Sequence, residues 1–194
     1  MAADPNFPDV HNLRGLIFMR MNDLAQAEDS FRRAIALNPR DSNALHNFGW
    51  LQCQQSRYAD ALRLFEQAMG NPLYTGRAKT LMAQGICQAR AGQTGDAERS
   101  LSRSYELDAG NPVTGYNLAN LLYQRGDFQR AQFYIRRLNN SIEVQLKTKG
   151  MVFNYPDVKT FRDTLSKAGF YKEWRAKFGD EAMAKLEKYS GKLA

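Results

Sequence analysis

The sequence predicts an all-α superhelix of about four helix–turn–helix repeats, followed by a short helical C-terminal tail. Three observations carry this expectation. Small residues recur at Gly15, Gly49, Gly85 and Ala119, in steps of 34, 36 and 34 residues. Each stands twelve residues before an alanine: Ala27, Ala61, Ala97 and Ala131. Four positions beyond each alanine sits a bulky apolar residue (Phe31, Phe65, Leu101, Ile135), and three further on come Ala34, Ala68, Ser104 and Leu138. A fixed period of this length marks stacked supersecondary units, because one helix pair leaves an apolar face open until a neighbour covers it.

Each repeat follows from its residues. The small residue lets the first helix press against the second, the alanine lets the second approach in return, and the bulky residue fills the space between them. Turn formers separate the two helices at Asn22-Asp23, Ser56-Arg57, Gly92-Gln93-Thr94-Gly95 and Gly126-Asp127. Pro39, Pro72 and Pro112 punctuate the junctions between units. The repeats are thus expected at 8–41, 42–75, 78–111 and 112–140. The pattern resembles the tetratricopeptide repeat (TPR), a helix–turn–helix unit of 34 residues. Pro5 stands ten residues before Gly15, as Pro39 does before Gly49. Residues 1–7 therefore read as the end of a truncated preceding repeat, with any upstream targeting signal outside this chain.

The tail breaks the period. Up to Asn140 the chain holds fifteen Arg and one Lys, Lys79; from Ser141 to Ala194 it holds two Arg and nine Lys. A further repeat would have to run through Gly150 and toward Pro156, and both oppose helix. Instead 151–155 reads as strand-like or extended, Asp157 can cap a helix closing at Gly169, and a short aromatic helix follows around Tyr171–Phe178. Asp180 opens a last helix with Ala182, Met183, Leu186 and Tyr189 on one stripe, ending near Gly191. Residues 141–194 are too few to build a core alone, so they are expected to cap the fourth repeat or to pair with a second copy as a homodimer.

Charge and motifs narrow the function. The net charge of +7 divides into +3 up to Asn140 and +4 beyond it, and the cations alternate with acids along apparent helices. That is a solvated surface and not a nucleic-acid patch. No apolar run approaches the roughly 20 residues of a membrane span, so no membrane insertion is expected. There is no phosphate loop, no GxSxG, no Cys/His catalytic signature and no metal-ligand spacing. Neither an enzyme nor a cofactor or metal protein is expected; a protein-binding scaffold is.

The binding face can be placed by position. Residues at −3, +1 and +4 from each anchor should line a concave groove: Asn12, Leu16 and Met19; His46, Trp50 and Cys53; Met82, Ile86 and Ala89; Tyr116, Asn120 and Tyr123. This lining is apolar and aromatic and lacks the cations that would grip a peptide carboxylate terminus. A hydrophobic peptide or helix of a protein partner suits it. Packing between neighbouring helices is the competing role for Leu16, Met19 and Ile86. Cys53 and Cys87 lie at +4 and +2 of successive first helices, roughly 160° apart at 3.6 residues per turn. Two facing helices need that arrangement for a disulfide in an oxidising compartment; two buried free thiols are the alternative.

Further residues resemble a particular TPR family. "HNFGW" followed by Cys53, the "NPLY" insertion at 71–74 and "GIC" at 85–87 make residues 3–140 similar to the type IV pilus biogenesis and stability family, PilW/PilF. The resemblance implies an outer-membrane lipoprotein of the pilotin kind facing the periplasm, with about six repeats, that binds a secretin or pilus component. This chain departs from that pattern at both ends. Gly150-Met151, Pro156-Asp157, Phe161-Arg162, Gly169-Phe170-Tyr171, Trp174 and Gly179-Asp180 make 141–194 similar to the C-terminal end of TRAP transporter solute-binding proteins. The two resemblances together imply a chimera, or an adaptor associated with TRAP-type solute uptake.

Overall fold

The computed structural model describes residues 7–153 and 157–190. The expected remnant of a preceding repeat therefore lies, but for Phe7, outside the described residues. Among the described residues ten helices form and no strand appears. The chain divides into two compact units between Gln145 and Leu146.

In the first unit the helices come in pairs. They are α1 (Pro8–Arg20) with α2 (Leu24–Leu37), α3 (Ser42–Gln54) with α4 (Tyr58–Met69), α5 (Arg77–Arg90) with α6 (Thr94–Leu107), and α7 (Pro112–Gln124) with α8 (Phe128–Thr148). Side-chain caps start several of them: Asp23 accepts from the Gln26 amide, Asp41 from Asn43 and Ala44, and Asn111 from Val113 and Thr114. The turns repeat as closely as the helices do. Seven residues after each anchor the backbone is left-handed, at Asn22 (φ 60°), Ser56 (φ 62°), Gly92 (φ 77°) and Gly126 (φ 80°). Glycine takes that conformation freely, and Asn and Ser take it at some cost.

The spacing of anchor, alanine and bulky residue has its expected meaning in the first three pairs. A Cβ built on Gly15 would fall 2.5 Å from the Phe31 ring, one on Gly49 2.8 Å from Phe65, and one on Gly85 2.7 Å from Leu101. Phe31, Phe65 and Leu101 are buried, as are Ala27, Ala61, Ala97, Ala34 and Ala68. Ser104 stands where the others have Ala, and its hydroxyl donates to the Ala78 carbonyl at 2.8 Å. Gly49→Ala is expected to lower the unfolding free energy by about 1–3 kcal/mol through overpacking. Urea denaturation checks this, and an unchanged midpoint would show that Phe65 has room to move.

The core is a series of layers. One gathers Phe31, Leu45, Phe48, Leu51 and Leu64; the next Cys53, Ala61, Phe65, Ala83 and Cys87; the last Leu101, Leu118, Leu121, Leu122 and Ala131. Two acidic residues, both thirteen places after their anchors, tie repeats together across the outside. Glu28 accepts from Arg32 and, at 3.0 Å, from Arg57 of the next repeat. Glu98 accepts from Arg125 and, at 2.7 Å, from Arg130. Partial burial opposes the Glu28 charge, but the two guanidiniums prevail and hold its carboxyl below the usual range.

The 36-residue step between Gly49 and Gly85 accommodates the "NPLY" insertion. Leu73 is left exposed while Tyr74 turns inward and is buried. A Cβ at Gly76 would fall 2.6 Å from Tyr74 Cζ, so glycine is what allows the ring to lie there.

Two boundaries differ from the sequence expectation. Helix α8 does not end at Asn140 but continues to Thr148. No helix breaker stands before Gly150, which takes φ 86°, so the shift from Arg to Lys passes within a continuous helix. Residues 151–153 form no strand, and 154–156 lie outside the described residues. The second unit holds α9 (Val158–Lys167) and α10 (Phe170–Ser190). Asp157 caps α9 by accepting from the Lys159 amide, and Gly169 follows with φ 75°. Inside α10, Gly179 leaves helical geometry (φ 81°, ψ 165°) where the sequence places a break. Of the last stripe, Met183 is buried while Ala182 and Leu186 are exposed; the Tyr189 side chain and Gly191 lie outside the described residues.

Candidate partner-binding groove

The face formed by −3, +1 and +4 positions is not uniform along the first unit. At its start Leu16 is 36% exposed, while Met19 is partly buried against the first core layer. Asn12 faces the next repeat and accepts a hydrogen bond from the Asn47 amide at 3.0 Å. Further along, Met82, Ile86 and Ala89 are partly buried and pack on the last core layer. For Met19 and Ile86 packing between neighbours is thus a large part of their role.

His46 is a correction to the expected lining. It is 5% exposed, and its Nδ1 lies 2.9 Å from Thr80 Oγ1, which in turn lies 3.0 Å from the Tyr74 hydroxyl. The chain is consistent when Tyr74 donates to Thr80 and Thr80 donates to an unprotonated Nδ1. Burial, aided by Lys79, pulls the imidazole pKa down to about 4. The insertion that turns Tyr74 inward supplies this relay, so His46 joins repeats from within the core.

Cys53 is likewise buried, with Cys87, in the layer that also holds Phe65. Both are free thiols within one core layer. The neighbouring Cys87 and then the Arg90 guanidinium hold Cys53 below the ordinary thiol range against the effect of burial. Cys53 and burial push Cys87 up. Trp50, half-buried beside this layer, carries the Arg90 guanidinium over its ring at 5.4 Å.

The fourth repeat is where the face opens. Its anchor is Ala119 and not glycine, and Ile135 is 39% exposed where Phe31, Phe65 and Leu101 are buried. Between α7 and α8 lies a cavity of about 490 Å³ walled by Tyr116, Asn120, Tyr123, Phe128, Gln132 and Ile135. Tyr116 and Tyr123 are 57% and 64% exposed, and the Tyr123 ring meets Phe128 edge-on at 5.2 Å. Position within the period pointed to Tyr116, Asn120 and Tyr123. Phe128, Gln132 and Ile135 come from the second helix, where the period marks core positions and gives no signal of a wall.

Among the described residues no helix is long and apolar enough to cross a membrane, and no group of three His, Cys, Asp or Glu is placed to hold a metal ion.

Comparison with known proteins agrees with this architecture. Tetratricopeptide repeat models match residues 8–41, 30–63 and 88–142. A relative in Pseudomonas aeruginosa, type IV pilus assembly protein PilF, is 24% identical over 69% of this chain and 53% of its own length. BBSome complex member BBS4 of Xenopus tropicalis is 25% identical over 76% of this chain and 28% of its own length. The chain thus spans about half the length of the first relative and less of the second. The solved structure of PilW, described as a widely conserved type IV pilus biogenesis factor, superposes with a TM-score of 0.70 at 23% identity, covering 95% of this chain and 84% of that one. Nothing in these comparisons supports a solute-binding origin for 141–194, or a chimera. Repeat models over 8–63 and 88–142, helix pairs joined by a recurring left-handed turn, and anchors packed on bulky residues describe one architecture: the chain folds as a tetratricopeptide-repeat superhelix.

Proposed function

We propose that this chain is a protein–protein interaction scaffold of type IV pilus biogenesis that receives a segment of its partner on the face made by the first helices. The observation that carries this reading is the open apolar cavity between α7 and α8, rimmed by exposed Tyr116 and Tyr123. Aromatic residues that keep both an apolar body and a polar tip in reach of solvent recur as interface anchors. The names of these relatives, a type IV pilus assembly protein and a type IV pilus biogenesis factor, support a pilus component as the partner. A secretin as partner and a periplasmic, outer-membrane-associated place of work belong to the same proposed reading.

Tyr123→Ala and Tyr116→Ala test it. Both side chains are exposed, so helicity by circular dichroism should hold, while affinity for a purified secretin or pilus subunit should fall by about tenfold or more. Unchanged affinity in both variants would remove the groove from consideration. In the tail, Phe161, Trp174 and Phe178 are exposed, which supports pairing with a second copy as a subsidiary role. Sedimentation of 1–194 against 1–145 measures it. The rival readings, an adaptor for TRAP-type uptake or a chimera without a unit function, rest on the sequence of 141–194 alone.

A further inference from the structure

Beside the apolar cavity lies a second one of about 250 Å³, and the two share Asn120 as a common wall. The second is polar at its mouth. Arg90, Asn117 and Gln124 join Asn120 there, over a floor that includes Ile86 and Leu121. Arg90 is the one charged residue in either lining, and no carboxylate lines them. Among the described residues Arg90 forms no ion pair with an acid, in contrast to Arg57, Arg125 and Arg130, each of which is held by Glu28 or Glu98.

The guanidinium is nevertheless positioned. It lies over the Trp50 ring at 5.4 Å, and its charge is felt at Cys53, whose thiol pKa it helps to lower. A guanidinium has five N–H donors in a rigid fork. The ring contact uses its face and leaves the donors of the fork for a ligand. An arginine held in place by stacking loses less side-chain freedom when it pairs, and its fork matches a carboxylate in two parallel bonds.

Resting on the groove reading above, we infer that the partner segment carries a bulky apolar side chain together with an Asp or Glu close to it in sequence. The apolar side chain fills the cavity between α7 and α8, and the carboxylate takes Arg90 across Asn120. The apolar cavity falls within the roughly 300–1,000 Å³ range of ordinary ligand sites, and it supplies burial. The Arg90 cavity supplies charge complementarity, which sets orientation and discriminates against basic segments. Asn117, Asn120 and Gln124 can each donate and accept, so they suit the peptide backbone running between the two side chains.

The test uses the full chain and short synthetic fluorescent peptides of one host sequence. Each carries a single Phe and, at varied distance from it, Glu, Gln or Lys. At low salt the best Phe/Glu peptide is expected to bind about tenfold tighter than its Phe/Lys counterpart. The preference should shrink with added salt and vanish in Arg90→Gln, while Arg90→Lys retains part of it. Tyr123→Ala should weaken every peptide alike and leave the preference intact. If Glu and Lys peptides bind equally to the unaltered chain while Tyr123→Ala weakens both, the acidic partner is overturned and the groove reading stands. If Tyr123→Ala changes nothing, the groove reading fails and the inference fails with it. Circular dichroism of each variant confirms that the fold is retained.

Discussion

Oxidation of the purified protein with glutathione disulfide is expected to join Cys53 to Cys87 and raise the unfolding free energy by about 4 kcal/mol, through loss of loop-closure entropy in the unfolded chain. The two thiols lose their protons and two electrons, and glutathione disulfide is reduced to two thiols. The two side chains share one core layer, and Cys53, below the ordinary thiol range, is the sulfur that would attack. Both are almost fully buried, at 1% and 0% exposure. The reaction should therefore wait on local opening and run faster in mild denaturant. Thiol titration under denaturing conditions, before and after oxidation, reads the bridge directly. Urea unfolding of the oxidised protein, the reduced protein and Cys87→Ser reads its effect. Two free thiols after prolonged oxidation would show that the packed layer holds the sulfurs apart.

Acidification should remove stability at the other junction of the same repeats. The His46 imidazole has an ordinary pKa of 6.5 and one of about 4 when folded. Above pH 6.5 it is neutral in both states, and its contribution does not change with pH. Below that, the unfolded chain takes up a proton that the folded chain refuses. Stability then falls with a slope approaching about 1.4 kcal/mol per pH unit, summing to about 3 kcal/mol by the time the folded imidazole protonates. At lower pH Glu28, whose folded pKa is depressed, begins to add its own loss as it protonates. Urea unfolding at intervals from pH 7.5 to pH 4.5 checks the first step, with His46→Asn as the control. The variant should be less stable at neutral pH and nearly flat across the window where the parent falls. A flat parent would mean that the Thr80 and Tyr74 relay accepts the imidazolium without cost.

The contrast between His46 and Tyr123 shows what the sequence could and could not convey. Counting from the anchors assigns both to one face, because each follows the period of its own helix. Tyr123 obeys: it stays largely exposed, with Phe128 meeting its ring edge-on. His46 does not, because Thr80 and the inserted Tyr74 approach it from the following repeat, and no periodicity encodes the path of an inserted loop. Ile135 fails for a related reason. Its place in the period predicts a core residue, yet with Ala119 where the earlier repeats have glycine it borders a cavity. The glycine anchors, by contrast, were fully legible. A missing Cβ opposite a buried ring is a local requirement, and it recurs in the same form at Gly15, Gly49 and Gly85. Arg90 could not have been singled out, since its value depends on Trp50 and Cys53 from the preceding repeat and on the absence of an acid nearby.

In the first unit each helix from α1 to α7 packs against the next, and the leading helices α1, α3, α5 and α7 also meet in succession. No contact has to be closed across a long stretch of intervening chain. Such a chain can be edited in whole periods. Excising the segment from Gly85 to Leu118 would bring Gln84 directly before Ala119, and each surviving helix would keep a helix of the same kind beside it. A solenoid of this type therefore acquires or loses reach without redesign, and the unequal step at "NPLY" is where such an edit would leave a mark, because excising Gly49 to Gln84 would take Tyr74 and Thr80 together and strand His46.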